Sequence, residues 1–195
     1  TLESTEAQNG KENSKDKMRI GFISKFFGVF EPHGQLLDGI MSHLPRDTFE
    51  VYAFPIPRTD LKPLSHSIAR GVDKVVEIPL ANSFAATIIA QCHLDVLVFA
   101  DTMSEPVSHF LAHSRLAPIQ VAFWGNPVTS ASLSVDYFVS GDHMEHPYRT
   151  MIPSKQEPYT EQVVLIEGQG IWYYTPKSAH EELMLTNWST YVNNE

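Results

Sequence analysis

The feature that most constrains this chain is a series of short apolar runs without polar alternation. DVLVFA (95–100) and MRIGFIS (18–24) are two of them. A strand with one face in water alternates between apolar and polar residues, so these runs predict strands that are buried on both faces. Between them, HGQLLDGIMSHL (33–44) places apolar residues at helical spacing. Buried strands that alternate with helices predict a parallel sheet with helices on both sides.

The same two patterns divide the rest of the chain into elements. Further strands are predicted at 49–56, 73–79, 118–124, 136–140 and 162–166. Further helices are predicted at 61–70, at 83–93 with Asn82 as the N-cap, and at 104–114 with Ser104 as the N-cap. The predicted fold class is therefore α/β, with a Rossmann-like parallel sheet and helices on both faces. Folds of this kind bind their ligands at the carboxyl ends of the strands.

Composition narrows the class of protein. The 195 residues carry a formal net charge of -9 and a single cysteine, Cys92. An acidic chain without a basic patch argues against nucleic-acid binding, and one cysteine cannot form an internal disulfide. No apolar run approaches the ~20 residues of a membrane-spanning helix. We expect a cytoplasmic or nuclear protein that binds neither nucleic acid nor membrane.

The chain divides into three parts by composition. Residues 1–17 have almost no apolar content and predict a disordered linker. Residues 18–175 contain all the regular apolar patterns and predict the Rossmann-like domain. Residues 176–195 are polar and atypical, and are expected to be a disordered tail.

One strand ends in a stretch of small and hydroxyl-bearing residues. Gly125, Asn126 and Pro127 follow the strand predicted at 118–124, and Thr129 and Ser130 come directly after them. Glycine allows close approach of a ligand, and backbone amides and hydroxyls can bind phosphate or sugar oxygens. These five residues are the candidate substrate-binding residues. The alternative interpretation is an ordinary turn between two strands.

His33 is the candidate catalytic residue. It lies where the first strand meets the first helix, at the carboxyl end of the strand and the N-terminal end of the helix. The helix dipole there favours a neutral, basic imidazole, which can act as a general base. The alternative is a polar residue near the helix start that contacts only water or a backbone carbonyl.

Metal sites and standard nucleotide motifs are weaker candidates. No G-x-G-x-x-G, phosphate-loop or G-x-S-x-G motif is present. His109 and His113 have a metal-compatible spacing but lack a third ligand. The segment 142–146 contains four possible ligands, and His143 and His146 could serve a small metal-dependent hydrolase. Neither spacing fits a structural zinc pattern, so no metal site is predicted.

A longer motif carries a family resemblance. The chain reads APIQVAFWGNPVTSASLSVDYFVSGD over 117–142, preceded by RIGFISKFF, FEVYAFPI and LDVLVFA and followed by YTEQVVL. Taken together, residues 18–175 resemble the N-terminal catalytic half of the O-GlcNAc transferase and SPINDLY family. The residues of the 117–142 motif that match the family pattern are Ala117, Pro118, Ile119, Gln120, Gly125, Pro127, Thr129, Ser130, Asp136, Tyr137 and Asp142.

The resemblance implies a fold, a reaction and a set of partners. The family has two Rossmann-like halves in a GT-B arrangement and moves a sugar, usually N-acetylglucosamine, from a nucleotide-sugar to Ser or Thr of intracellular proteins. It requires no metal or other cofactor; the nucleotide-sugar, here UDP-GlcNAc, is a substrate. The implied partners are protein acceptors, a C-terminal catalytic half and upstream tetratricopeptide repeats. The resemblance also implies that Gly125 to Ala131 lie near the donor sugar or the acceptor.

The departures from the family pattern include three positions at which the family has Asp or His. Phe26 and Phe30 stand where the family has Asp and His, and Met103 stands where it has a second His. The residues after 170 do not resemble a second Rossmann-like half, which in this family binds most of the donor nucleotide. We therefore expect the isolated chain to be inactive. The alternative function is a non-catalytic protein-interaction domain, or a truncated product, that keeps the fold without activity.

Overall fold

A parallel sheet forms the centre of the molecule. The computed structural model describes residues 17–28, 31–58, 64–102, 104–124, 128–145 and 159–172. The strands within these ranges are β1 (Met18–Ser24), β2 (Phe49–Pro55), β3 (Lys74–Val75), β4 (Val96–Phe99), β5 (Ile119–Phe123), β6 (Tyr137–Gly141) and β7 (Gln162–Ile166). Their order in the sheet is β3-β2-β1-β4-β5-β6-β7. The helices are α1 (Pro32–His43), α2 (His66–Gly71), α3 (Asn82–Gln91) and α4 (Pro106–Ala112).

Each face of the sheet carries its own apolar cluster, as the unalternated strands predict. On one face, α1 and α2 pack Leu37, Met41 and Ile68 against Phe22 and Val98. On the other face, α3 and α4 pack against alternate residues of the same strands. The buried residues of that second cluster include Ile23, Phe54, Ile89, Leu97, Phe99, Leu111 and Phe138. The α/β prediction with helices on both faces is confirmed.

The ends of two helices differ from the sequence-based prediction. Asn82 is the first residue of α3, and Ala81 occupies the N-cap position without a side-chain hydrogen bond. Helix α4 begins at Pro106, and its cap is Glu105, whose carboxylate accepts a 2.8 Å hydrogen bond from the Ser108 amide. Ser104 instead donates its hydroxyl to the Asp101 carbonyl. Proline suits the first helical position because its missing N–H would have no intrahelical partner there.

The edge strand is much shorter than predicted. Only Lys74 and Val75 pair with β2, in place of the strand expected over 73–79. Ile78 leaves the sheet and is buried in the cluster beneath α3, and Pro79 has no N–H with which to extend the ladder. Helix α2 likewise begins at His66, later than the predicted residue 61.

Two predicted regions lie outside the described residues. They are the linker, apart from its last residue Lys17, and the tail over 176–195. Among the described residues, no helix is both long enough and apolar enough to cross a membrane.

Candidate functional site

The sheet has one topological switch point, and it lies between β1 and β4. From β1 the chain proceeds to β2 and β3 on one side, and β4 to β7 follow on the other. Loops that leave the carboxyl ends of β1 and β4 therefore turn in opposite directions and open a crevice, which is the usual ligand site of such sheets. In this chain the two loops begin at Lys25 and at Ala100.

A cluster of polar side chains occupies this crevice. Asp101 is only 1% exposed, and its Oδ2 accepts hydrogen bonds from the Ser24 hydroxyl at 3.2 Å and the Lys25 amide at 2.9 Å. Glu105, also buried, lies 3.5 Å from the Lys25 ammonium. We call Ser24, Lys25, Asp101, Glu105 and Ser108 the switch-point cluster. Three elements bring these residues together: the ends of β1 and β4, and the start of α4 with its cap.

Burial raises the pKa of the Asp101 carboxyl from 3.8 to about 6. The hydrogen bonds from Lys25 and Ser24 and the nearby Ser108 hydroxyl oppose that rise, and the Glu105 carboxylate adds to it. Asp101 Oδ1 and Ser108 Oγ both lack a hydrogen-bond partner within the described part of the chain. A buried carboxyl with a raised pKa at a strand end is typical of functional sites.

A pocket of about 320 Å³ adjoins the cluster and shares Lys25 with it. It lies at the carboxyl ends of β1 and β2, and its charged lining residues are Lys25, Arg58 and Glu77. Lys25 faces Glu105, and Arg58 forms a 3.2 Å ion pair with Glu31. A larger groove lies over the apolar face beside α1, but its lining is almost entirely apolar and it contains none of the candidate residues.

His33 lies in the first turn of α1, at the carboxyl end of β1, as the sequence predicts. Its ring centroid is 5.3 Å from that of Phe26, which is the residue that replaces the Asp of the family pattern. Gly34 allows this helix turn to approach the backbone closely, because a Cβ there would collide with the Phe26 carbonyl oxygen. The location of His33 is thus as expected, and its role as a base stays a prediction.

Thr129 and Ser130 direct their hydroxyl groups into the protein. The Thr129 hydroxyl donates to Glu161 Oε2 at 2.7 Å, and the Ser130 amide donates to Glu161 Oε1 at 2.7 Å. The Ser130 hydroxyl also donates to Glu161 Oε1, and Ser130 itself is fully buried. Glu161 immediately precedes β7, whose first residue pairs with the first residue of β6. These two candidate residues therefore anchor their loop to the amino end of a strand.

The hydrogen bonds decide the charge state of Glu161. Burial favours the neutral acid, but the donors on Ser130 and Thr129 outweigh it and lower the pKa of this carboxyl. Gly125, Asn126 and Pro127 lie outside the described residues. The prediction that the stretch 125–130 binds substrate stays a prediction. The structure adds that its last two residues already have partners within the chain.

Two other residues of the family motif, Gln120 and Asp136, form hydrogen bonds that hold the segment between β5 and β6 in place. Gln120 is fully buried. Its Oε1 accepts a 2.7 Å hydrogen bond from the Leu116 amide, and its Nε2 donates a 2.6 Å hydrogen bond to the Ser134 carbonyl. Asp136 accepts two hydrogen bonds from Arg115, at 2.6 and 3.0 Å. Gln120 and Asp136 therefore have a structural role at the amino ends of β5 and β6.

The histidine pairs considered as metal ligands have ordinary surroundings. The rings of His109 and His113 stand edge to face, 4.8 Å apart, at the end of α4. Asp142 accepts a 2.7 Å hydrogen bond from the Gly168 amide and lies 3.7 Å from the exposed His143 ring. His146 lies outside the described residues. Within the ranges that the structure describes, no three His, Cys, Asp or Glu side chains come together as a metal site.

Sequence reasoning missed Asp101, Glu105 and Glu161. Each is a charged residue that directly follows or precedes an element, at a position where solvent exposure is the usual expectation. A signal was present for Asp101, because it follows the most apolar strand in the chain and that strand's end faces the switch point. Nothing local to Glu161 indicates burial.

Fold and site together define the class of protein: a Rossmann-like domain with a polar crevice at the switch point of a parallel sheet. Glycosyl transferase family 41 matches residues 3–167. Because this match covers most of the chain, the chain belongs to that family.

Two curated relatives and one solved structure give the degree of similarity. The chain is 24% identical over 133 residues to the probable UDP-N-acetylglucosamine–peptide N-acetylglucosaminyltransferase SEC of Arabidopsis thaliana, covering 68% of this chain and 14% of that protein. It is 27% identical over 144 residues to the UDP-N-acetylglucosamine–peptide N-acetylglucosaminyltransferase of Caenorhabditis elegans, covering 73% of this chain and 12% of that one. An O-GlcNAc transferase variant from Thermobaculum terrenum aligns with a TM-score of 0.63 at 23% identity, over 85% of this chain and 30% of that one. The structural match supports the fold, and the chain spans less than a third of each relative.

Proposed function

We propose that this chain is the N-terminal catalytic half of an O-GlcNAc-transferase-like enzyme. The enzyme would move N-acetylglucosamine from UDP-GlcNAc to Ser or Thr hydroxyls of proteins in the cytoplasm or nucleus. The observation that carries the proposal is the family match over residues 3–167, joined by two relatives whose names describe this reaction. The crevice at the switch point offers a polar site at the sheet edge where such folds bind ligands.

The proposal gives roles to the candidate residues. The His33 imidazole would accept the proton of the acceptor hydroxyl as that oxygen attacks the anomeric carbon and the bond from that carbon to the UDP phosphate breaks. Gly125, Asn126 and Pro127 would present backbone groups to the sugar and the departing phosphate. Thr129 and Ser130 would support that stretch through Glu161, since their hydroxyls are bonded there. No resident cofactor is part of the scheme; the nucleotide-sugar is a substrate.

The expected partners are those that complete the enzyme. A C-terminal catalytic half would supply most of the nucleotide contacts, and tetratricopeptide repeats would select protein acceptors. The short coverage of each relative supports this, because the chain accounts for only 14% and 12% of their lengths.

The test is a transfer assay on the complete gene product that contains this chain, with UDP-GlcNAc labelled in the sugar and a Ser/Thr peptide pool. We expect labelled peptide, and we expect His33→Gln to lower kcat about a hundredfold through loss of general-base catalysis. His66→Gln, which changes an exposed histidine at the start of α2, is the matched control and should leave kcat unchanged. If wild type transfers sugar and His33→Gln transfers it equally well, only the assignment of the base is wrong.

The alternative is a protein-interaction domain, or a truncated product, that keeps the fold without transfer activity. It is favoured by Phe26, which occupies a position that is Asp in the family pattern and packs on the His33 ring. Calorimetric titration with UDP-GlcNAc separates the two functions. A gene product that neither binds the donor nor yields labelled peptide would support the alternative, whereas donor binding or turnover would exclude it.

A further inference from the structure

Asp101 is the most buried acid of the crevice, and the proposed reaction does not use it. It stands between the turn that follows β1 and the start of α4, and it is 1% exposed. Its neighbours on the β1 side are hydrogen-bond donors, and those on the α4 side are Glu105 and Ser108. A carboxyl in this position can influence the residues that the turn after β1 contacts.

A chain of contacts leads from Asp101 to His33. Asp101 Oδ2 accepts from the Ser24 hydroxyl at 3.2 Å and from the Lys25 amide at 2.9 Å. The Ser24 oxygen in turn accepts a 2.9 Å hydrogen bond from the Phe26 amide, and the Phe26 ring lies 5.3 Å from the His33 ring. The last residue of β1 and the two residues after it are thus all tied, directly or through one oxygen, to a single carboxylate.

We propose that Asp101 is a positioning residue: it holds the turn at residues 24–26 and, through Phe26, sets the place of the His33 ring. The positioning part stands on the contacts alone, and its importance for catalysis rests on the proposed function of His33. The side chain acts through its neighbours and contacts no reacting atom, because it is buried beneath the turn.

The hydrogen bonds by which Asp101 holds the turn depend on whether its carboxyl is protonated. When ionised, the carboxylate is a strong acceptor for the two donors at Oδ2, but Oδ1 has no partner within the described ranges. When protonated, Asp101 carries no charge that burial penalises, and burial is the largest cause of its raised pKa. The neutral form is therefore better accommodated by the interior, and the charged form holds the turn more tightly.

The charged groups that face Asp101 come from two elements. Glu105, at the cap of α4, raises the pKa of Asp101, and Lys25 on the turn directs its ammonium to Glu105 at 3.5 Å. Burial is the largest cause of the raised pKa, which is about 6. The turn should accordingly tighten as the pH rises through about 6.

The test is a pH titration followed by amide and imidazole NMR resonances of the 195-residue chain. We expect the Lys25 and Phe26 amide resonances to move with a shared midpoint near 6, the pKa of Asp101. In Asp101→Asn that step should vanish, and the His33 ring resonances should shift at every pH. A wild-type Lys25 amide that does not titrate, or an unchanged step in Asp101→Asn, would overturn the proposal.

Asp95→Asn is the matched control. Asp95 flanks the other end of β4 and accepts a 2.7 Å hydrogen bond from the Arg19 amide of β1, so it makes a similar contact away from His33. Its replacement should leave the Lys25, Phe26 and His33 resonances unchanged. A second variant, Ser24→Ala, should keep the Lys25 step and abolish the Phe26 step, because only the Phe26 contact passes through the Ser24 oxygen.

An assay of the complete gene product separates this inference from the proposed function. If the enzyme transfers sugar, Asp101→Asn should lower kcat about tenfold or more with little change in KM, because a displaced base misses the reacting hydroxyl. If the enzyme proves inactive but the NMR steps behave as described, the proposed function fails and the positioning role stands. If transfer is normal in Asp101→Asn and the steps persist, the positioning role is wrong.

Discussion

Asp101 and Glu161 are both almost completely buried, with 1% and 3% of their surface exposed, yet their environments favour opposite charge states. The pKa of Asp101 is raised to about 6, whereas that of Glu161 is lowered. Glu161 receives donors on both of its oxygens, and Asp101 receives them on one oxygen only. The comparison teaches that low exposure alone does not decide the charge of a carboxyl: desolvation and the neighbouring Glu105 outweigh the donors to Asp101, whereas the donors to Glu161 outweigh its desolvation.

The two carboxyls also differ in what they support. Glu161 joins a loop to the start of β7, far along the sheet from the switch point, and its ionised form contributes to stability. Asp101 lies at the switch point and leaves one oxygen without a partner within the described residues. A buried polar atom without a partner costs stability, and its presence calls for an explanation such as a functional role.

The largest expected effect is that of Glu161→Ala. It leaves the donors of Thr129 and Ser130 without their acceptor in a buried place, so we expect the free energy of unfolding at pH 7 to fall by about 3 kcal/mol. Urea denaturation measures the change. The control is Glu167→Ala, since Glu167 is exposed just after β7, and it should cost less than about 0.5 kcal/mol. Equal losses in the two variants would contradict the role given to the Glu161 carboxylate.

Asp101→Asn should raise the free energy of unfolding at alkaline pH, whereas Glu161→Ala lowers it. The shift from 3.8 to about 6 means that ionisation of Asp101 destabilises the fold. Each unit of difference between the folded and unfolded pKa corresponds to about 1.4 kcal/mol. Because a neutral amide forms weaker hydrogen bonds than a carboxylate, part of this gain is lost, and the variant should be more stable than wild type by about 2 kcal/mol at pH 8. Thermal and urea unfolding at pH 8 check this. A destabilised variant would show that the ionised form is the better accommodated one.

The pH dependence of the two sites should run in opposite senses. The stability that Glu161 contributes is present above its unfolded pKa, 4.5, and is lost as the pH falls through its lower folded pKa. The loss of stability caused by ionised Asp101 is absent below its unfolded pKa of 3.8, grows as the pH rises, and is complete above its folded pKa of about 6. Unfolding of wild type, Glu161→Gln and Asp101→Asn from pH 3.5 to 8 tests both. The Asp101→Asn advantage should disappear at the acid end, where the Glu161→Gln deficit also shrinks.

The smallest expected effect is that of Ser108→Ala. The Ser108 hydroxyl lowers the pKa of Asp101, so its removal should raise that pKa further, as a carboxyl-carbon NMR titration would record. Stability should change by less than about 1 kcal/mol, because the lost hydroxyl is buried without a partner among the described residues. A lowered pKa would show that Ser108 does not assist the charged form.

Much of the fold could be read from local patterns. The runs at 18–24, 95–100 and 162–166 correspond closely to β1, β4 and β7. For β1 and β4 the reason is that a strand buried on both faces needs an apolar residue at nearly every position, whereas most of β7 is exposed. The position of His33 at the start of α1 follows for the same reason, since helical spacing marks where the helix begins. Element ends were less predictable: Ser104 and Glu105 are both able to cap α4, and packing selects Glu105.

The chemistry of the site could not be read in this way. Ser24 and Asp101 are 77 residues apart, and Ser130 and Glu161 are 31 apart, so no local pattern pairs them. The strand order brings β1 beside β4, and the return of the chain to β7 brings Glu161 beside Ser130. Apolar periodicity is a property of neighbours in sequence, and it therefore specifies the elements and their buried faces. The charge of a buried carboxyl depends on donors that arrive from distant segments, so it is settled only when those segments are packed together.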